Sequence, residues 1–166
     1  MAIVYTAGTA PAITSFNSLA SINTTATAAA SSAAYTTDTT KATVDAQFQL
    51  TVVTPAFTPT ASTGINVYVY GSQDGTTWPG AGATSEVLAG TDAAVTLSTF
   101  GNNLKPAAFI LCHTSAGTFK SEPISIKSLF GGILPKKWAV LITNGLPATI
   151  SLAASGHAIA VTEISY

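Results

Sequence analysis

The chain has 166 residues, of which 8% are charged, with six lysines, no arginine, seven acids and a net charge of −1. That length suffices for one domain with its own core. With no arginine and one adjacent pair of cations, Lys136 and Lys137, it offers no cluster to face phosphates, so nucleic acid is not an expected partner. A hydrophobic share of 47% argues against a disordered chain, while 72 Ala, Thr and Ser residues leave a surface weakly protected against association.

Residues 1–41 are rich in Ala, Thr and Ser, with scattered apolar anchors such as Ile13, Phe16, Leu19 and Tyr35. They read as an N-terminal arm or edge segment, held by a neighbouring subunit or added to the chain's own sheet. A helix over 17–34 competes with that reading because alanine favours it, but the interleaved Thr and Ser work against it. The first residues lack the basic and apolar regions of a signal peptide. The Ala-rich stretch 26–34 is too short to span a bilayer, so no membrane partner is expected and synthesis in a cytoplasm is.

The pattern changes after Lys41. Between Thr43 and Thr54, Val44, Ala46, Phe48, Leu50 and Val52 alternate with Asp45, Gln47, Gln49 and Thr51, which predicts a strand with one buried face. Pro55 and Pro59 mark a loop. Ile65, Val67 and Val69 then alternate with Asn66, Tyr68 and Tyr70, and Asp74-Gly75 predicts a turn. A short strand is expected at 93–97. The apolar run 107–114 predicts a strand buried on both faces, and 123–129 predicts another. Gly131-Gly132 and Pro135 bound a turn before the apolar strand 138–143. Asn144-Gly145 predicts a turn, followed by strands at 149–152 and 158–164. Short strands at such spacing, without helical periodicity after Lys41, predict an all-β fold: an antiparallel β-sandwich or jelly roll formed by 42–166, with the extended arm before it.

Side chains that carry chemistry are few. Cys112 is the one cysteine, so there is no internal disulfide, and its apolar neighbours point to a buried thiol. His113 follows directly, so on a strand the two point to opposite faces and make a poor nucleophile–base pair. His157, after Ser155-Gly156, reads as a solvated turn histidine. Asp74 lies among hydroxyls, but a calcium loop requires more carboxylates than Glu86 and Asp92 would supply, so a turn aspartate bound to local N–H groups is expected. Nothing in the spacing brings Glu122 and Glu163 together as paired carboxylates. Phe130-Gly131-Gly132-Ile133 lacks the lysine–hydroxyl ending of a phosphate loop. No catalytic residue, metal or cofactor is expected, and the chain reads as a non-enzyme. Tyr68, Tyr70 and Trp78 remain as candidate contact residues, either a glycan-stacking platform or aromatic area at a subunit interface.

Two segments, Asn66-Val-Tyr-Val-Tyr-Gly-Ser-Gln-Asp-Gly-Thr-Thr-Trp78 and Phe130-Gly-Gly-Ile-Leu-Pro-Lys-Lys-Trp-Ala-Val-Leu-Ile-Thr-Asn144, resemble small β-sandwich virion proteins of tailed bacteriophages. The resemblance is loose outside them and carries no catalytic residue. It implies a virion component, with a capsid decoration (cement) protein first and a tail or head–tail junction protein second. The expected partners are copies of the chain itself, as a closed oligomer such as a trimer, and the major capsid protein or other virion proteins. A carbohydrate-binding module is the alternative from another class.

Overall fold

The computed structural model describes residues 4–7, 28–40, 42–79, 88–96, 104–113, 116–147 and 152–166. They form strands β1 (Val4–Ala7), β2 (Ala28–Ser31), β3 (Tyr35–Thr36), β4 (Thr43–Thr54), β5 (Gly64–Ser72), β6 (Ala93–Thr96), β7 (Lys105–Leu111), β8 (Gly117–Lys120), β9 (Ile124–Ser125), β10 (Lys137–Gly145) and β11 (Ala158–Ser165), with one helical turn, α1 (Ile126–Leu129). All pairings are antiparallel. The first sheet has the order β1-β11-β4-β8, with β9 also on β4. The second has the order β6-β2-β10-β5-β7, with β3 also on β10. The two sheets pack as an all-β sandwich.

The alternation in β4 sets the core. Ala46, Phe48, Leu50 and Val52 are buried, as are Ile159 and Val161 of β11. They meet Ile65, Val67 and Val69 of β5 and Trp138, Val140 and Ile142 of β10 in one cluster. Trp138 is its largest member, with ring centroids 5.2 Å from Tyr35 and 5.7 Å from Phe48. A second cluster covers the outer face of the second sheet, where Ala29, Tyr70, Leu88, Leu104, Ala139 and Leu141 pack together. This explains why β10 is apolar from Trp138 to Ile142: both its faces are covered there.

The strands described before Lys41 belong to both sheets. β1 adds an edge strand to β11, while β2 lies inside the second sheet between β10 and β6. Of the helix considered over 17–34, residues 28–31 are strand, 32–34 lie outside any element, and 17–27 lie outside the described residues. Where β2 leaves β10, Ser32 continues the bonding: its N–H donates to Val140 O, and its Oγ accepts from Val140 N–H.

Three expectations are corrected. The segment 123–129 is not one strand, because after two residues of β9 the chain turns into α1. Asp45 on the neighbouring β4 accepts from Lys127 N–H and Ser125 Oγ–H, and Ser125 Oγ accepts from Ser128 N–H, so two side chains cap that turn. Asn144-Gly145 is not a turn but the end of β10, paired with Ile65 and Gly64. A Cβ at Gly145 would meet the Gly64 carbonyl oxygen at 2.5 Å, so close backbone approach accounts for that glycine. The third correction, at β7, concerns the surface described next. Of the strand expected at 149–152, residues 149–151 lie outside the described residues, and Leu152 is buried outside any strand.

Candidate functional site

β7 was expected to be buried on both faces. It is instead the last strand of the second sheet, bonded to β5 alone among the described residues. Ile110 and the following Cys112 point into the core, whereas Phe109 is 51% exposed and Leu111 48% exposed. A bulge accompanies the strand's start, where Val67 pairs with Ala108 but Tyr68 with Pro106, leaving Ala107 as the extra residue. Gly64 lies beneath Phe109, and a Cβ there would collide with the ring.

Two depressions flank the strand. A groove of about 500 Å³ runs between β7 and β8 at the mouth of the sandwich, lined by Phe109, Leu111, His113, Thr118, Lys120 and Glu122 among others. A shallower pocket of about 320 Å³ lies on the outer face, with Asn66, Tyr68, Pro106 and Phe109 in its wall. Phe109 borders both. Across the groove, exposed Lys120 gives β8 a charge that β7 lacks between Pro106 and Leu111.

The aromatic residues singled out from the sequence share the outer cluster but differ in exposure. Tyr70 is fully buried in the outer cluster, its hydroxyl 2.5 Å from Ser31 Oγ and accepting from Gly90 N–H at 3.1 Å. Burial pushes its phenol above the ordinary value. Trp78 packs edge-on against Tyr70, with centroids 5.4 Å apart, and borders a depression of about 330 Å³ with Gln73 and Asp74. Tyr68 is half-buried in the pocket beside Phe109. All three rings belong to the outer cluster, but Tyr68 and Trp78 border separate depressions and Tyr70 has no face open to solvent.

Of the ionisable side chains, His113, Lys120 and Glu122 line the groove together, while Asp74, Glu163 and His157 lie elsewhere. Asp74 is the expected turn aspartate: it accepts from Thr76 and Thr77 N–H and from the hydroxyls of Thr77 and Ser72. The Thr77 hydroxyl, with the other donors, holds its carboxyl well below the ordinary range. Glu163 is buried, accepting from Tyr35 Oη–H and Asp38 N–H, each at 3.0 Å. Glu122 is at the groove. His113 is exposed and stacks edge-on against Phe119 at 5.6 Å, opposite in direction to buried Cys112. His157 corrects the expectation of a solvated ring, because it is half-buried and bonded to backbone at both nitrogens. Among the described residues, no three His, Cys, Asp or Glu side chains form a metal-holding group, and no helix is long and apolar enough to cross a membrane.

No protein-family model matches the chain, and the searches of curated proteins and of solved structures yield no similar protein.

Phe109 and Leu111 were the residues missed. In Ala107-Ala-Phe-Ile-Leu-Cys112 both alternating sets are apolar, so composition hides the face that meets solvent. The one available signal was Pro106, since proline is confined to strand edges, first positions and bulges.

Proposed function

We propose that this chain is a structural protein of a bacteriophage virion that decorates the head and stabilises it through contacts with copies of itself and with the major capsid protein. The observation that carries this reading is the apolar stretch 108–111 at the edge of the second sheet. There, past Lys105, Pro106 and the bulge at Ala107, Phe109 and Leu111 stand exposed on a strand that pairs with β5 alone among the described residues. Native edges that must avoid other chains are guarded by charges, by covering elements or by brevity. A decoration protein has the opposite requirement. Its sandwich must be rigid, and its rim must meet neighbours in a shell.

The low charge supports the same role. With 8% charged residues, long-range repulsion between neighbouring copies is weak, so close packing at high local concentration costs little. The two segments that resemble tailed-phage virion proteins have structural roles here. The Asp74 turn follows β5, and Phe130-Gly-Gly leads from α1 towards β10 with Gly131 and Gly132 in the left-handed region.

Incubating purified chain with assembled capsid shells tests the reading. Stoichiometric binding that raises the shells' resistance to heat is expected, with copies per particle in the hundreds. A count of about a dozen would move the protein to the tail or head–tail junction. Absence of binding to shells or virions would remove the role.

A further inference from the structure

We infer that β7 is a strand-addition site for β7 of a second copy, joining two second sheets across a twofold axis. The inference deepens the assembly role just proposed and rests on it for its biological setting, but its geometry comes from the strand itself.

Backbone direction identifies the free groups. Cys112 N–H donates to Thr63 O at 2.9 Å, so position 112 faces β5, and alternation places Ile110 in the same orientation. Phe109 and Leu111, opposite Asn66 and Gly64, therefore turn their N–H and C=O groups away from β5. No described strand pairs on that side. The residues whose side chains are exposed are thus the ones whose backbone groups have no strand partner among the described residues.

A twofold axis at Ile110 satisfies both sets at once. In an antiparallel pairing centred there, Phe109 lies opposite Leu111 of the second copy, and Leu111 opposite its Phe109. Each such pair exchanges both of its N–H···O bonds. Each also places an exposed ring against an exposed aliphatic side chain on the same face, within reach of a direct cross-strand contact. The surface is complementary to itself, as an isologous interface requires.

Charge selects this arrangement. Lys105 is the cation of the strand. Five positions from the axis, it stands about 30 Å from its symmetry mate at the strand rise per residue. A parallel in-register pairing would place the two lysines side by side. β8, across the groove, has four residues against the seven of β7 and is the poorer template.

The full chain, followed by sedimentation equilibrium over a dilution series, is expected to give twice its 16.7 kDa mass. Backbone amides of Phe109 and Leu111 should exchange slowly in the dimer. Phe109→Lys and, separately, Leu111→Glu should each weaken dimerisation about 30-fold or more, as at the centre of an interface. Because the two positions face each other across the axis, the Phe109→Lys/Leu111→Glu double variant should recover much of the loss. The Leu111→Glu chain serves alone if Phe109→Lys does not fold. A monomer at all concentrations, a trimer unaffected by these changes, or a double variant no better than its parents would overturn the pairing. A monomeric wild-type chain that still binds shells would overturn the pairing and leave the decoration role standing. A dimer that ignores shells would uphold the pairing and remove that role.

Discussion

The carboxylate of Glu163 on β11 accepts the hydroxyl proton of Tyr35 on β3 at 3.0 Å, with both side chains buried, so a single bond ties the first sheet to the second. Glu163 also receives Asp38 N–H, which fixes the chain between β3 and β4. Burial, then the neighbouring Glu163, hold the Tyr35 phenol far above its ordinary value, so it remains a donor. Tyr35→Phe should cost about 1.5–3 kcal/mol, the range for a hydrogen bond to a charged group. Urea unfolding of the two proteins measures it, and an unchanged midpoint would mean that the bond contributes nothing.

His157 gives the fold a dependence on pH. Its Nδ1 accepts Val53 N–H at 3.1 Å, and its Nε2 lies 2.8 Å from Ala153 O, so the ring is neutral with the proton on Nε2. Burial holds the imidazole below its ordinary value of 6.5, against the opposing pull of the Ala153 carbonyl. The unfolded chain therefore takes up a proton more readily than the folded one. The stabilisation is complete above 6.5, and falls as pH drops from 6.5 towards the folded value. The melting temperature should decline on acidification from pH 7 to pH 5, and His157→Gln should flatten that part of the profile.

Cys112 should be inert in the native protein. It is fully buried, and burial pushes its thiol up to about 11. Thiolate is the reactive form, so an aromatic disulfide reagent at pH 8 should label the chain only as fast as it opens. Labelling should become immediate in denaturant. Rapid labelling of the folded chain would show that the wall beside β7 opens locally.

Gly90 carries the outer layer. Its φ of +65° lies in the left-handed region, and a Cβ there would stand 2.5 Å from the Trp78 ring. Gly90→Ala should cost more than about 1 kcal/mol and displace Trp78 from Tyr70. Red-shifted tryptophan fluorescence together with a lowered melting temperature is the expected readout. A shift in neither would place the Trp78 contact outside the stable core.

Much of the sandwich was legible along the chain because a strand with one wet face records its surroundings in every second residue. The strand expected from Thr43 to Thr54 has the bounds of β4, with the alternation observed from Ala46 to Val52, and Ile65 to Tyr70 lies within β5. α1 escaped because one turn is too short to show a period, and its caps come in part from Asp45, some 80 positions away. Asn144-Gly145 misled because the turn preference of that pair yields to nine paired positions between β5 and β10.

Sequence alone determined the strand-rich class, the buried thiol, the turn at Asp74 and a surface with little charge to keep neighbours away, since these follow from local pattern and composition. Strand order was left to the tertiary structure. An apolar run has the same composition in the middle of a sheet as at its rim, and only long-range pairing decides which. That pairing put β10 between covered faces and β7 at the margin, where Phe109 and Leu111 meet water.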